Sequence, residues 1–327
     1  MHVLLTGVTG FLARRIAHDL LVAGHHIRGS LRDVARADDV RAVMPPEALD
    51  RLSFVELTLD SDDGWTDAAS GMDAIIHTAS PFPLEQTPAD PQTVIRPAVE
   101  GTLRAMEAAK ANGVDRVILT SSTVAVVNGP RPAGRLRDER DWSTADHRNA
   151  NAYVRSKTEA EQAAWAFADE NAINLTVLNP GLILGPPLGE ERSTSLKVVT
   201  RILSGSDPMV PPISFETVDV RDVSRAHVIA LETPGLAGER ILLAAGTLWF
   251  ADIAKIARQE APDRKLPTRT APRLMIKALA MFDPALKGIV PILGRNEPVS
   301  NAKAVKMLGL DFIPAEDAAR AAVKALL

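Results

Sequence analysis

His2-Val3-Leu4-Leu5-Thr6-Gly7-Val8-Thr9-Gly10-Phe11-Leu12-Ala13 passes from an apolar strand pattern, through a glycine turn, into a helix whose Leu12, Ile16 and Leu20 share one face. Gly7 allows a tight turn, Gly10 lets the backbone come close to a pyrophosphate, and Ala13 keeps helix and strand in close approach. An anion held there meets the free N–H groups and the positive dipole end of the helix, so no lysine is required. Gly7, Thr9, Gly10, Phe11 and Leu12 are therefore candidates for binding the phosphates of a dinucleotide.

Outward from this unit, short apolar runs recur at 27–31, 54–57, 74–76, 117–119 and 175–178. Helical patterns lie between them. At 91–112, Ile95, Val99, Thr102, Met106 and Ala109 fall on one face and the pattern stops at Asn112-Gly113; at about 151–171, Val154, Ala160, Ala164 and Phe167 repeat it. This alternation predicts an α/β fold, a doubly wound parallel sheet covered by helices on both faces. After Pro180 the rhythm breaks into glycine and proline at 181–187 and 208–212, and three helical patterns over 248–327 are separated by prolines. The expected organisation is a dinucleotide-binding domain of 1–180 plus about 217–247, with a smaller, mostly helical substrate lobe of about 181–216 plus 248–327. A chain of 327 residues exceeds the roughly 250 to 300 that one core usually serves.

Apolar residues at 46% and charged residues at 24% are ordinary for a globular protein. The formal charge of -4 offers no broad basic surface for nucleic acid or anionic lipid, so any phosphate must be recognised locally. With no cysteine, thiol catalysis, disulfides and thiolate metal sites are excluded, which fits a cytoplasmic location. The apolar run at the N-terminus is too short for a signal peptide, and the stretch 274–282 is interrupted by Lys277 and too short to span a bilayer. The scattered histidines show no metal spacing, and Asp60, Asp62, Asp63, Asp219 and Asp222 read as helix caps.

The second strand ends at Leu31-Arg32-Asp33, about 20 residues past the turn, where the adenosine ribose is expected to lie. An arginine there pairs with a 2'-phosphate, so Arg32 favours NADP(H) over NAD, and Arg28 points to the same sheet edge. Tyr153 and Lys157 stand four residues apart, on one face of a helix. An ammonium beside a phenol stabilises the phenolate and draws its pKa from about 10 toward working pH, as a general acid needs. Tyr153 is the only tyrosine in the chain. Thr120-Ser121-Ser122-Thr123 puts hydroxyls at the carboxyl end of a strand, where ligands of doubly wound sheets bind, and one of them can hold a carbonyl beside Tyr153.

Together, the turn, the serines, the Tyr153/Lys157 pair and Asn179-Pro180-Gly181 resemble the extended short-chain dehydrogenase/reductases with their Rossmann fold, most of all the dihydroflavonol reductase subgroup and its bacterial aldehyde reductase relatives. Arg32-Asp33, His77-Thr78-Ala79-Ser80-Pro81, Ala160-Glu161, Gly185-Pro186 and Val299-Ser300-Asn301-Ala302-Lys303 extend the resemblance over nearly the whole chain. It implies a catalytic triad of Ser122, Tyr153 and Lys157, with Lys157 also on the nicotinamide ribose. It places Thr58 and Leu59 near the adenine, Thr78, Ala79, Ser80, Pro180, Ile183 and Ser195 along the cofactor, and Asn151 or the segment after Gly185 at the border of the substrate, with Phe82, Thr123 and Leu188 as further substrate candidates. Thr58-Leu59 stands where the family usually has Asp-Leu, which weakens the adenine contact, and Asp38-Asp39 stands where a second base often supports the phosphate, with Arg36 close by. Asn151-Ala152-Tyr153 lacks the tryptophan and cysteine of the cinnamoyl-CoA reductase signature, which argues against a CoA thioester.

The expected activity is NADPH-dependent reduction of an aldehyde or ketone to an alcohol; the apolar Leu188, Leu196, Val210 and Ile213 after Gly185, with Phe82 near the end of the fourth strand, suggest a small hydrophobic carbonyl. The expected state is a monomer or a homodimer, the resemblance implying the helices 91–112 and 151–171 as the dimer bundle. A nucleotide-sugar epimerase or dehydratase shares the fold and the Tyr/Lys pair, but dehydratases carry Asp-Glu after the serine or threonine, where this chain has Thr123-Val124. A non-catalytic NADP-sensing protein of this type typically loses the tyrosine, and this chain keeps its only one there. Fold alone does not separate these readings.

Overall fold

The computed structural model describes residues 1–81, 90–144, 150–189 and 194–327. β1 (His2–Thr6), α1 (Phe11–Val22), β2 (His26–Leu31), α2 (Ala37–Arg41), β3 (Leu52–Glu56), α3 (Trp65–Ala69) and β4 (Ala74–His77) follow in order. Next come α4 (Gln92–Ala111), β5 (Arg116–Thr120), α5 (Val124–Val127), α6 (Ala152–Asn171) and β6 (Asn174–Pro180). β7 (Leu182–Leu184), α7 (Thr194–Ser204), β8 (Met209–Val210), β9 (Ser214–Asp219), α8 (Val220–Glu232) and β10 (Arg240–Leu243) lead to β11 (Gly246–Trp249), α9 (Phe250–Glu260) and β12 (Arg269–Thr270). The chain ends with α10 (Arg273–Leu279), α11 (Pro284–Ile289), α12 (Ala302–Leu308) and α13 (Ala315–Ala325).

Seven strands form one parallel sheet in the order β10-β6-β5-β4-β1-β2-β3. Because both faces are covered, its strands are apolar without alternation: Val3, Leu4 and Leu5 are all fully buried. Val3, Leu5, Ile27 and Ile76 meet Ile16 and Leu20 of α1 and Val223 of α8 on one face. Leu4, Ile75, Val117 and Leu119 meet Met106 of α4 and Ala164 of α6 on the other. The order in which strands join the sheet reverses between the parallel neighbours β1 and β4, and it is at the carboxyl ends of strands flanking such a switch that doubly wound folds bind ligands.

A second core gathers Leu196, Val199 and Leu203 of α7, Ile253 and Ala257 of α9, and Ala318, Ala322 and Val323 of α13 on a small sheet of order β11-β9-β7. β9 belongs to this small sheet, while α8, which continues directly from it, covers the large one. Five helices, α9 to α13, occupy 248–327 where the sequence pattern suggested three. α10 and α11 have 7 and 6 residues, too few for helical periodicity to show. Among the described residues no helix is long and apolar enough to cross a membrane.

Candidate active site

The end of β1 and the end of β4 are stitched together by one side chain. The buried Thr6 hydroxyl accepts from the amides of Thr78 and Ala79 at 3.0 and 3.1 Å, and Thr78 Oγ1 donates to the Thr6 carbonyl. The turn that follows is crowded. Gly7 sits at φ 71°, and a Cβ there would lie 3.2 Å from both Cα and Cβ of Ala79. Gly7 N donates to Ser30 Oγ at 3.1 Å and Gly10 N to the Gly7 carbonyl at 2.9 Å, which closes the turn. Gly10 then starts α1 in extended conformation, with no side-chain cap and no acid in the first turn. Such a helix start leaves its N–H groups available to an anion such as a pyrophosphate, while a side chain at Gly10 would press on the Gly7 carbonyl at 3.3 Å. Thr9, Phe11 and Leu12 stand in the same turn; the buried Arg14 holds the Thr9 carbonyl at 3.2 Å and that of Leu188 at 3.5 Å. Leu188, expected at the substrate, thus has its backbone against α1.

At the ribose edge, Arg32 is exposed just past β2, and no ion pair engages it among the described residues. Asp33 turns its carboxylate back onto the Ala35 amide at 2.9 Å, capping a short 3-10 turn. Arg28 does not share this edge. Its guanidinium donates to the carbonyls of Asp67, Ala68 and Ser70 at 2.9–3.3 Å, the end of α3, which corrects its expected role. Arg36 pairs with Asp39 at 3.5 Å. The Thr58 carbonyl accepts from the Trp65 indole at 3.1 Å, and Leu59 fills the space above Gly101 of α4. α3 starts at Gly64 without a side-chain cap; Asp62 pairs instead with Arg104, and Asp63 accepts from Ser61 Oγ, so neither caps this helix. Asp219 does cap α8 through the Arg221 amide, whereas Asp222 accepts from the Ile313 amide.

Ser122, Tyr153 and Lys157, the expected triad, lie at the carboxyl edge of β5 and the start of α6. Asn151, expected to border the substrate, accepts from the Val154 amide at 2.9 Å and caps α6. The next turn presents Tyr153 and Lys157. A hydrogen bond from Ser122 reaches the Tyr153 phenol, while Lys157 Nζ donates to the Thr120 carbonyl at 3.5 Å. Both keep some surface open, yet burial of the titrating group dominates each pKa. Tyr153 is pushed up to about 12 by burial, the Ser122 hydrogen bond opposing it; Lys157 is brought down to about 8 by burial, the charge of Glu161 opposing it. This reverses the direction expected for the phenol, because desolvation by burial outweighs what favours the phenolate. Pro180 and Thr123 are buried beside Ser122, the Thr123 amide donating to the Pro180 carbonyl at 3.0 Å; Ile183, Ser195, Ala79 and Ser80 are half-buried. Phe82 lies outside the described residues.

Two neutral histidines flank the triad's strands. His227 of α8 bridges the Val223 carbonyl and Thr120 Oγ1, each at 2.7 Å, and burial lowers its pKa to about 4. His77 pairs with Thr6 Oγ1 at 3.0 Å; burial and then the Lys157 charge lower it to about 3. Both depressed values mean that the unfolded chain takes up protons below about pH 6.5 while the folded one does not, so stability is complete above that pH and lost as pH falls. Between about pH 7 and 5 the melting temperature is expected to fall, each histidine contributing up to about 1.4 kcal/mol per pH unit, and His227→Asn should flatten that slope. A melting temperature constant across this window would show that neither ring is held neutral.

Residues 3–244 match the family model described as the NAD dependent epimerase/dehydratase family. The chain belongs to that family. Among its relatives, cinnamoyl-CoA reductase 1 of Arabidopsis thaliana is 35% identical over 270 residues, covering 82% of this chain and 77% of that one. Cinnamoyl-CoA reductase CAD2 of Medicago truncatula is 32% identical over 99% of this chain and 95% of its own. Among solved structures, Gre2 of Candida albicans in complex with NADPH superposes with a TM-score of 0.82 at 25% identity, over 100% of this chain and 98% of that one. The resemblance read from the turn and the Tyr153/Lys157 pair therefore holds at the level of the family.

Four buried polar residues lie together behind Ser122 and Lys157: Ser121, Glu161 and Asn179, which the sequence reading quoted in motifs without a role of their own, and Arg240, which it missed. The signal available was Glu161, an acid one turn beyond Lys157 on the helix face that carries Ala160 and Ala164 inward.

Proposed function

We propose that the chain is an NADPH-dependent carbonyl reductase, converting an aldehyde or ketone to an alcohol with Tyr153 as general acid. The observation that carries this is the hydrogen-bonded Ser122–Tyr153 pair at the same sheet edge as the uncapped glycine turn, with Lys157 one helical turn away. The named activities of the relatives and the NADPH in the Gre2 complex support it. The turn at Gly7 and Gly10 would hold the pyrophosphate, Arg32 the 2'-phosphate, and Lys157 the nicotinamide ribose. Bound NADPH would supply the hydride.

Ser122 then orients the substrate oxygen, and Tyr153 gives its phenolic proton to that oxygen as the carbonyl carbon is reduced. The ammonium of Lys157 stabilises the phenolate left behind, which water reprotonates. Leu196, Val210 and Ile213, residues of the segment expected to line an apolar pocket, are core residues with 4% exposure or less. The preference for an apolar carbonyl rests instead on the aryl acyl group in the relatives' names. The missing tryptophan and the absence of cysteine favour a free carbonyl over a thioester.

A panel of aryl and alkyl aldehydes, ketones, one aryl acyl-CoA and one nucleotide sugar, followed by loss of NADPH absorbance, tests this. Turnover of the free carbonyls is expected. Epimerisation of the sugar nucleotide with no net NADPH consumption would replace the reading.

We also propose that α4 and α6 do not form a helical dimer face. Trp165 and Phe167 of α6 are half-buried against the core, and the outer surface of α4 carries Arg96, Glu107 and Lys110. Because the chain has no cysteine, Ala166→Cys on the exposed face of α6 supplies a single reporter thiol. No disulfide-linked dimer is expected on oxidation; its ready formation would overturn the proposal.

A further inference from the structure

We propose that Glu161 is a positioning residue for the reaction, fixing Ser122 through Ser121 and Asn179 and presenting the negative charge that faces Lys157. The inference rests on the reductase reading of the triad. Glu161 lies two helical turns beyond Tyr153 and one beyond Lys157 on α6, so all three point toward the carboxyl ends of β5 and β6. Its carboxylate is 1% exposed. It accepts from Ser121 Oγ at 2.5 Å, from Asn179 Nδ2 at 2.8 Å and from the Arg240 guanidinium.

Each partner leads back to the site or to the loop beside it. Ser121 immediately precedes Ser122, and Asn179 Nδ2 also donates to the Ser122 carbonyl at 3.2 Å. Arg240 holds the carbonyls of Ala125, Glu139 and Asp141 at 3.3, 3.1 and 2.7 Å, and its guanidinium stacks 3.7 Å over the Trp142 ring. One carboxylate therefore couples α6, β5, β6, β10 and the loop that follows Ser122. Asn179 supplies an independent sign that orientation is enforced here. Its Oδ1 is buried with no hydrogen-bond partner among the described residues, a cost borne so that its donor end can serve Glu161 and Ser122.

Few charged or titratable groups act on Lys157. Lys157 meets the Thr120 carbonyl of β5, and its charge acts on the neutral His77 of β4 and is opposed by Glu161 of its own helix. α4, packed along α6, buries no charged residue, and α5 is wholly apolar. Arg240 is the buried cation in contact with Glu161, and it is paired with that carboxylate itself.

The test is a series of variants in the full-length protein, compared by kcat, KM for NADPH and the pH profile of carbonyl reduction. Glu161→Gln is expected to lower kcat about 100-fold, as loss of positioning does, with little change in KM for NADPH. It should also move the alkaline limb of the profile down by roughly one unit, because Lys157 loses its facing charge. Glu161→Asp keeps the charge on a shorter arm, so the limb should stay while kcat falls. Ser121→Ala, which removes one neutral donor, should lower kcat and leave the limb in place. Should Glu161→Gln fail to fold with Arg240 unpaired, the double variant Glu161→Gln/Arg240→Gln removes both buried charges and carries the same expectation for kcat. Folded Glu161 variants with unchanged kcat and limb, in an enzyme that Tyr153→Phe silences, would overturn this inference alone. Full turnover by Tyr153→Phe would instead overturn the reading on which it rests.

Discussion

Tyr153→Phe is expected to lose most carbonyl reduction, by about 100 to 10,000-fold in kcat, while NADPH binding stays within a few-fold. The variant removes one oxygen and leaves the ring, so α6 and its Asn151 cap are undisturbed. What goes is the proton donor and the partner of the Ser122 hydroxyl. Because Tyr153 is the only tyrosine, tyrosinate absorbance in the ultraviolet reports this residue alone. In the cofactor-free protein it should titrate above 10, towards about 12, because burial disfavours the phenolate. Ser122→Ala should raise it further by deleting the hydrogen bond that favours the charged form. Near-normal reduction by the Phe variant, or a phenol that titrates as in water and ignores Ser122, would remove Tyr153 from the chemistry.

The upward direction of that titration could not be read from the sequence, and the reason is physical. Spacing of four residues puts Tyr153 and Lys157 on one face, but it says nothing of how deeply that face is buried. In the structure Lys157 spends its hydrogen bond on the Thr120 carbonyl, and desolvation governs both groups. Proton donation from so weak an acid calls for a charge that stabilises the phenolate as it forms, and the role proposed for Lys157 therefore belongs to turnover rather than to the resting state.

Elsewhere the legible parts were those written in local periodicity. The strand at 2–6, the turn at Gly7 and Gly10, and the helices from Gln92 and Ala152 lie within a residue or two of their expected limits, because each buries a continuous apolar face. Contacts between distant segments were not legible. Arg28 reads as a free cation at a strand end until α3 places three carbonyls around it. Leu196 and Val210 read as pocket residues until α9 and α13 close over them. Glu161 looks like one of many helix acids until Arg240, 79 positions later, arrives beside it.

Cofactor choice supplies the second large effect: Arg32→Ala is expected to weaken NADPH about 10 to 150-fold and NADH hardly at all. A charge-assisted pair with a 2'-phosphate contributes on the order of 1.5 to 3 kcal/mol, which sets that range. Two features of the structure favour the upper part of it. Arg32 is engaged in no ion pair among the described residues, so none need be broken to bind a phosphate. Asp33, the acid that on paper should repel a 2'-phosphate and accept from a 2'-hydroxyl, is already committed to the Ala35 amide. Arg36 is tied to Asp39, so Arg36→Ala should cost NADPH less than Arg32→Ala. Fluorescence titration of both cofactors against both variants decides the matter. Equal weakening of NADPH and NADH by Arg32→Ala would mean that Arg32 shapes the adenosine site as a whole and that selectivity resides in another residue. Loss of NADPH from Asp33→Ala, with Arg32 intact, would show instead that the short turn capped by Asp33 is what holds the guanidinium in place.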